Sequence, residues 1–408
     1  MLLSVLVALT TIMVTARLVG ALFKRFHQPA VIGEVVGGIL LGPSLLGRVS
    51  PEAAAVLLPA EAAPFLGVIA QLGVILYMFL VGLELDLRVL RSRVAITVAI
   101  SVTSIIVPFA LGAGMASALF ETLAPAGVGF TSFALFLGVS MSITAFPVLA
   151  RILNDRGLQR TDMGIVALTC AAINDAIAWC LLAFVVGVTQ STTSAAVQTV
   201  VLTAVYITLM LTVGRRAMAA MVERFDRSPR IGERSLALVL VAVLLSAVAT
   251  EFIGIHAIFG AFLIGAIIPH ESVIARHVTE RLEDIVRVMF MPAFFAFTGL
   301  RTEIGLVNTL DDWLLCGAII AVATAGKFGG TLLASKTVGL DWRDSAALGI
   351  LMNTRGLVEL IVLNIGLDLG VISPRLFTML VIMALVTTMM TAPILSALLR
   401  KRPWAVAD

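Results

Sequence analysis

Charge is scarce in this chain. Of its 408 residues only 13% are Asp, Glu, Lys or Arg, against about a quarter in a soluble domain, so water is the wrong solvent for it. Cysteine is scarcer still. Cys170, Cys180 and Cys316 all fall in apolar stretches without metal-ligand spacing, which removes a disulfide framework or a zinc site and leaves packing as their role. No His/Glu metal cluster and no Ser/Lys nucleophile pair appears, so nothing supports an enzyme or a bound cofactor. No Lys or Arg precedes the first apolar run and no small-residue cleavage site follows it, so residues 2–22 read as a retained span and not a signal peptide. The net charge of +3 and pI near 9.0 do not indicate nucleic acid, because the basic residues sit in short loops beside hydrophobic spans, where orientation signals belong.

What is abundant is hydrophobic sequence, at 60% of residues and a mean hydropathy of +1.08. A helix needs roughly 20 mostly apolar residues to cross the hydrocarbon. Candidate spans lie at 2–22, 29–47, 65–83, 94–119, 131–150, 162–188, 196–214, 235–250, 252–269, 288–300, 313–335, 345–366 and 376–399, the tenth looking short. The fold class is therefore an all-α integral membrane protein of about thirteen transmembrane helices in a lipid bilayer, with no room for a soluble domain.

The basic residues set an orientation. Loops after odd-numbered spans, with the C-terminus, hold 22 of the 28 Lys and Arg, including Arg88, Arg91, Arg93, Arg156, Arg160, Arg215, Arg216, Arg400, Lys401 and Arg402. Loops after even-numbered spans hold only Arg48, Arg301 and Arg375. Cytoplasmic loops carry the excess of Lys and Arg, which puts the N-terminus outside and the C-terminus in the cytoplasm. An error of one span would have scrambled this alternation.

An ionisable side chain at the bilayer centre costs at least ~2.5–3.5 kcal/mol on insertion scales, so each one needs a partner or a task. Arg17 and Glu34 lie near span ends, where snorkelling suffices. The deep set is Asp175, Lys327, Arg355 and Glu359. Asp175 sits mid-span beside Asn174. A carboxylate is a hard oxygen ligand for Na+ or K+, and burial also favours the form that keeps its proton, so protons and cations compete for one group. Asn174 adds a neutral carbonyl ligand. The competing reading locks Asp175 permanently to Lys327 or Arg355.

Two spans carry helix-weakening clusters. In the fifth, Ser140-Met-Ser142-Ile143-Thr144-Ala-Phe-Pro147 frees a backbone carbonyl, that of Ile143, and offers the hydroxyls of Ser142 and Thr144. In the twelfth, Asn353-Thr-Arg355-Gly356 interrupts apolar sequence. With the seventh span as connector, spans 1–6 and 8–13 form two inverted six-helix repeats in which the fifth and twelfth correspond, and paired interrupted helices point to a midplane ion site. Arg355 is suited to neutralising the C-terminal ends of the broken half-helices. Glu359, at i+4, is suited to pairing with Arg355. Lys327 lies in Ala325-Gly-Lys327-Phe-Gly-Gly330, where glycines permit close helix approach. It can hold a carboxylate, stabilise broken-helix ends or itself titrate.

Gly33-Glu-Val-Val-Gly-Gly-Ile-Leu-Leu-Gly-Pro43, Phe79-Leu-Val-Gly-Leu-Glu84-Leu-Asp86, Thr144-Ala-Phe-Pro147-Val-Leu-Ala-Arg151, Asn174-Asp175, Gly254-Ile-His-Ala-Ile-Phe-Gly-Ala-Phe262 and Asn353-Thr-Arg-Gly-Leu-Val-Glu359 together resemble the monovalent cation:proton antiporters of the Kef-like and plant CHX-like branch. The resemblance covers nearly the whole chain. It implies the sodium/proton antiporter fold and a homodimer, with residues 1–92 and 235–311 as dimerising scaffold. Residues 93–195 and 312–400 would be the moving core and 196–234 the linker helix, with the core displaced like an elevator. By position, Asp175 matches the family's ion-binding aspartate, Thr144 its unwound-helix ligand and Lys327 its lysine. Electrogenic relatives carry two adjacent aspartates where this chain has Asn174-Asp175, so electroneutral exchange is expected. Many members also carry a long soluble C-terminal regulatory domain. The sequence stops at Asp408, so regulation through such a domain is not expected. Remaining alternatives are a cation channel lined by the same polar breaks, or a membrane sensor or scaffold that binds without transporting. The ligands, mostly carbonyl and hydroxyl oxygen, leave K+ and Na+ both open, with a tilt toward K+. A bacterial plasma membrane is the expected location.

Overall fold

The computed structural model describes residues 1–84, 94–159, 161–189, 193–226, 233–269 and 272–399. All regular segments among them are helical. The motif residues Leu85 and Asp86 and the basic loop positions Arg88, Arg91 and Arg93 lie outside the described residues, as do Arg160 and the basic C-terminal tail.

In chain order the helices are α1 (Leu2–Arg25), α2 (Ala30–Leu41), α3 (Ala63–Glu84), α4 (Val94–Leu123), α5 (Phe130–Ser142), α6 (Phe146–Asp155), α7 (Asp162–Thr189), α8 (Thr193–Leu209) and α9 (Arg215–Asp226). They continue with α10 (Glu233–Ile253), α11 (Ala257–Ile267), α12 (Val273–Ile285), α13 (Met291–Leu300), α14 (Leu310–Thr324), α15 (Gly330–Thr337), α16 (Trp342–Met352), α17 (Leu357–Asp368) and α18 (Pro374–Leu399). Three π-helical turns, Met210–Gly214, Val286–Phe290 and Ala325–Gly329, join α8 to α9, α12 to α13 and α14 to α15.

Ten helical stretches among the described residues are long and apolar enough to cross a membrane, and α5 and α11 are shorter apolar helices. The fifth and twelfth apolar stretches are each split in two, into α5 and α6 around residues 143–145 and into α16 and α17 around 353–356. Pro147 sits in the first turn of α6, where a missing N–H costs nothing, so the break precedes the proline.

The tenth span is a correction. It is not short: α12, its π turn and α13 run on from Val273 as one helical stretch to Leu300. Seven ionisable residues between Arg276 and Arg287 make the first half amphipathic, which hides its continuity from an apolar-run reading. Arg276, Arg281 and Arg287 therefore lie on a helix and not in a loop. Residues 46–62, between the second and third candidate spans, also hold short helices.

The chain divides into two compact units: Met1–Ala63, Leu90–Leu182 and Phe295–Asp408 in the first, Pro64–Val89 and Ala183–Phe294 in the second. In the second, α3 and α11 touch through their backbones: a Cβ on Gly82 would strike the Phe262 carbonyl, and one on Gly265 the Phe79 carbonyl. This is close small-residue packing of the kind used between helices in lipid. Ser246 donates to the Gly260 carbonyl at 2.7 Å and lies 2.5 Å from the Tyr206 hydroxyl. The first unit contains both interrupted helices and all four deep ionisable residues.

Candidate functional site

The two breaks meet and satisfy each other. A helix C-terminus leaves carbonyls without N–H partners. At the end of α16 the Met352 carbonyl accepts from Thr144 Oγ1 at 3.0 Å, and in the break beyond it the Thr354 carbonyl accepts from the Ala145 N–H at 3.0 Å. At the end of α5 the carbonyls of Ser140 and Met141 each accept from the Arg355 guanidinium at 2.6 Å. Thus the fifth span's break caps the twelfth's half-helix, and the twelfth's break caps the fifth's. Arg355 also donates to Glu359 at 2.9 Å, both side chains being fully buried. A guanidinium suits this position because its planar fork serves two carbonyls and a carboxylate at once. Its own backbone is fixed by Thr388 on α18, which accepts from the Arg355 N–H at 3.1 Å and lies 2.7 Å from its carbonyl.

Lys327 is fully buried in the π turn between α14 and α15, and its ammonium donates to the Ser104 carbonyl at 2.9 Å. That acceptor exists because of Pro108. Proline has no N–H, so the carbonyl four residues earlier in α4 lacks its helical donor. The amide of Asn174 is oriented by these neighbours. With its nitrogen donating to the Ser101 carbonyl at 3.1 Å, its oxygen accepts from Lys327 Nζ at 3.3 Å and lies 2.8 Å from Ser104 Oγ and 3.3 Å from Thr144 Oγ1. Asn174 therefore links α4, the fifth-span break and Lys327.

Asp175 is buried, at 3% exposure, and among the described residues neither carboxylate oxygen has a hydrogen bond of ordinary geometry. The groups bearing on it are the Phe146 backbone N–H, at the start of α6, and the Lys327 charge. A helix N-terminus presents unpaired N–H groups and positive potential, which favours an anion there. Arg355 is engaged with Glu359 and two carbonyls and Lys327 with the Ser104 carbonyl, and among the described residues neither is hydrogen-bonded to Asp175.

Of the residues singled out from sequence, Thr144, Asn174, Asp175 and Lys327 come together here, and Arg355 with Glu359 holds the crossing. Ser142 turns back to its own helix, donating to the Val139 carbonyl at 2.9 Å, and Ile143 supplies extended backbone at the break. Sequence reasoning missed Ser101, Ser104, Pro108, Thr388 and Thr391. A proline with hydroxyls four and seven residues before it in an apolar span, and the run Thr387-Thr388-Met-Met-Thr391, were the available signals. A monovalent cation fits the donor set: two carboxylate oxygens without a hydrogen bond of ordinary geometry among the described residues, the Thr144 hydroxyl and main-chain oxygen of a broken helix are hard ligands. No group of three or more metal-holding His, Cys, Asp or Glu exists among the described residues.

Comparison with known proteins agrees with this architecture. The transmembrane sodium/hydrogen exchanger family matches residues 12–401, and the chain belongs to that family. It is 44% identical over 395 residues to the Na(+)/H(+) antiporter NhaS4 of Synechocystis, covering 96% of each chain. It is 40% identical to cation/H(+) antiporter 17 of Arabidopsis thaliana, covering 95% of this chain and 47% of that one. With K(+)/H(+) antiporter 1 of Saccharomyces cerevisiae it shares 36% identity over 94% of this chain and 45% of the yeast protein. The chain thus spans just under half the length of the plant and yeast relatives. The fold is that of the sodium proton antiporter MjNhaP1 from Methanocaldococcus jannaschii, with a TM-score of 0.70 at 14% identity over 98% and 97% of the two chains.

Proposed function

We infer that the chain is a secondary transporter exchanging a monovalent cation, Na+ or K+, for protons across a membrane. The observation that carries this is a buried carboxylate, Asp175, without a protein donor of ordinary geometry, beside two broken helices that cap each other. The relatives' activities support it: Na+/H+ for the Synechocystis protein and K+/H+ for the yeast one.

In this mechanism Asp175 holds either a proton or the cation. Without a proton it is an anion facing the N-terminus of α6, and a cation reaching it completes its shell with Thr144 Oγ1 and main-chain oxygen of residues 143–145. Asn174 keeps Thr144 and Lys327 in place. Arg355 and Glu359 keep the half-helix ends neutral so that the crossing moves as one piece. A protonated Asp175 makes a neutral site that can change sides, and so does a cation-loaded one, whereas the empty anion cannot. That difference couples the two fluxes. One carboxylate gives one proton per cation, hence electroneutral exchange, while a second titrating group would couple flux to voltage at about 2.3 kcal/mol per charge per 100 mV. The direction of the pH effect follows. Protons compete with the cation, so raising pH lowers the apparent KM for the cation until Asp175 is fully deprotonated.

The helices α5 and α6, α16 and α17, with α11, complete a thirteen-span count in this reading. The N-terminus lies outside and the C-terminus in the cytoplasm of a bacterial plasma membrane. Two protomers pair through residues 1–92 and 235–311, against which 93–195 and 312–400 move by alternating access, with 196–234 as linker.

The test is purified protein in liposomes with an internal pH dye. An exchanger shows proton movement driven by a cation gradient and unchanged when valinomycin and K+ clamp the voltage. Flux that follows voltage would mean a channel, and no flux a sensor or scaffold. Running the assay with Na+ and with K+ decides the cation.

A further inference from the structure

Many buried hydroxyls of the first unit bond back to their own helix, as Ser101 does to the Thr97 carbonyl at 2.7 Å and Ser104 to the Ser101 carbonyl at 2.8 Å. Thr331 and Ser335 on α15 and Ser345 on α16 do not. All three are fully buried and their hydroxyl oxygens have no hydrogen-bond partner among the described residues.

Packing brings them together. On α15, Thr331 and Ser335 follow Lys327 at four-residue steps, so the three share one helix face. Helix α16 runs back beside α15: a Cβ on Gly349 would lie 3.0 Å from the Phe328 carbonyl. Ser345, one turn before Gly349, is therefore level with the turn that carries Thr331. Ala334 and Ala347 share one apolar cluster with Ile100 of α4. The third wall is α4, since a Cβ on Gly330 would lie 3.0 Å from Val107 and one on Gly326 2.8 Å from Pro108. Along α4, Ser104, Ser101 and Thr97 descend in the same direction. At the lower end Lys336 donates to the Leu340 carbonyl and its ammonium lies 4.9 Å from the Trp342 ring centre.

Buried polar groups are satisfied by protein or by ordered water, and a site with several unpartnered hydroxyls is where buried water belongs. We propose that the seam between α4, α15 and α16, lined by Thr331, Ser335 and Ser345, holds a file of internal water that relays protons between the Lys336 end and the Lys327–Asn174 pair, separately from the cation's route. The proposal rests on reading Asp175 as the exchange site. Each hop passes one O–H proton on as another arrives, so the file itself is unchanged.

Two measurements on the full-length protein in liposomes test this. Radiolytic labelling with ¹⁸O water marks side chains beside internal water. Phe328 and Leu348 should be labelled in the wild type and in Asp175→Asn, and the labelling should fall at least fivefold in the double variant Thr331→Val/Ser345→Ala. Absence of labelling in the wild type overturns the proposal. The same double variant should slow cation-driven proton movement about tenfold with the cation KM unchanged within twofold, and Thr331→Ser should retain the wild-type rate. An unchanged rate, or a loss that appears as a raised cation KM, overturns the proton role. Wild-type labelling without any exchange would instead overturn the exchange reading, and the seam would then be a water site with no part in transport.

Discussion

Two helix crossings in this protein are built in opposite ways. Where α3 meets α11, glycines let bare backbones touch, at Gly82 with Phe262 and at Gly265 with Phe79. Where the fifth and twelfth spans meet, the helices stop, and buried Thr144, Arg355 and Glu359 replace helical hydrogen bonds. A dry glycine crossing needs no charge and is satisfied by dispersion and close approach. A broken crossing strands backbone groups that must be capped from outside the helix. The second arrangement is the less economical way to join two helices, and its return is a buried ionisable carboxylate near a set of oxygens. In the proposed mechanism one crossing serves stability and the other transport, so they should respond differently to substitution.

The largest contrast is at Asp175. Asp175→Asn should reduce exchange at least a hundredfold in the liposome assay without lowering the thermal midpoint, because it replaces a buried carboxylate that has no protein hydrogen bond of ordinary geometry by a neutral isostere. A mutant that exchanges at the wild-type rate would remove Asp175 from the mechanism.

Arg355→Gln comes next. It leaves the Ser140 and Met141 carbonyls and the Glu359 carboxylate without their donor, at a cost of about 3–5 kcal/mol for breaking a buried pair. Thermal unfolding should show the loss, and Arg355→Gln/Glu359→Gln should recover part of it, since the stranded charge is then gone. Equal midpoints for the single and double variants would show that the pair does not hold the crossing.

Gly265→Ala probes the other crossing. The added methyl meets the Phe79 carbonyl, and overpacking costs about 1–3 kcal/mol. The thermal midpoint should fall while the cation KM stays at its wild-type value. A shifted KM with unchanged stability would erase the distinction drawn between the two crossings.

The smallest effect is expected from Pro108→Ala. The restored N–H competes with Lys327 for the Ser104 carbonyl, so exchange should slow about twofold to fivefold with little change in stability, since the helix regains a hydrogen bond worth ~0.5–1.5 kcal/mol. Proline in the wild type would then be recognised as the residue that keeps an acceptor open for the lysine.

Much of this was legible in the sequence, for identifiable reasons. Hydrocarbon demands long apolar runs, so most spans stand out. Interruptions stand out equally, because Pro147 and the Asn353-Thr-Arg355-Gly356 cluster are costly in an apolar helix without a purpose. The tenth span was misjudged because its first half carries charge on one face, and an apolar-run reading discards amphipathic helix. Partners across the fold were harder to see. Pro108 reveals that the Ser104 carbonyl is free, but only the packing of α4 on the π turn shows that Lys327 takes it. In the same way Thr388 and Thr391 look like ordinary helical hydroxyls until α18 is laid beside the second break. The Asn174-Asp175 pair could be found by its depth in the span, yet which of the two carries an unbonded oxygen depends on neighbours from three other segments.

The most direct measurement is a count of protons released when the cation binds. Calorimetric titration of the purified protein with NaCl or KCl, repeated in buffers of different ionisation enthalpy at a pH where Asp175 is protonated, gives that number. The account expects one proton released per cation bound by the wild type and no binding by Asp175→Asn. Cation binding that releases no proton, or that survives in Asp175→Asn with its proton release intact, would contradict it.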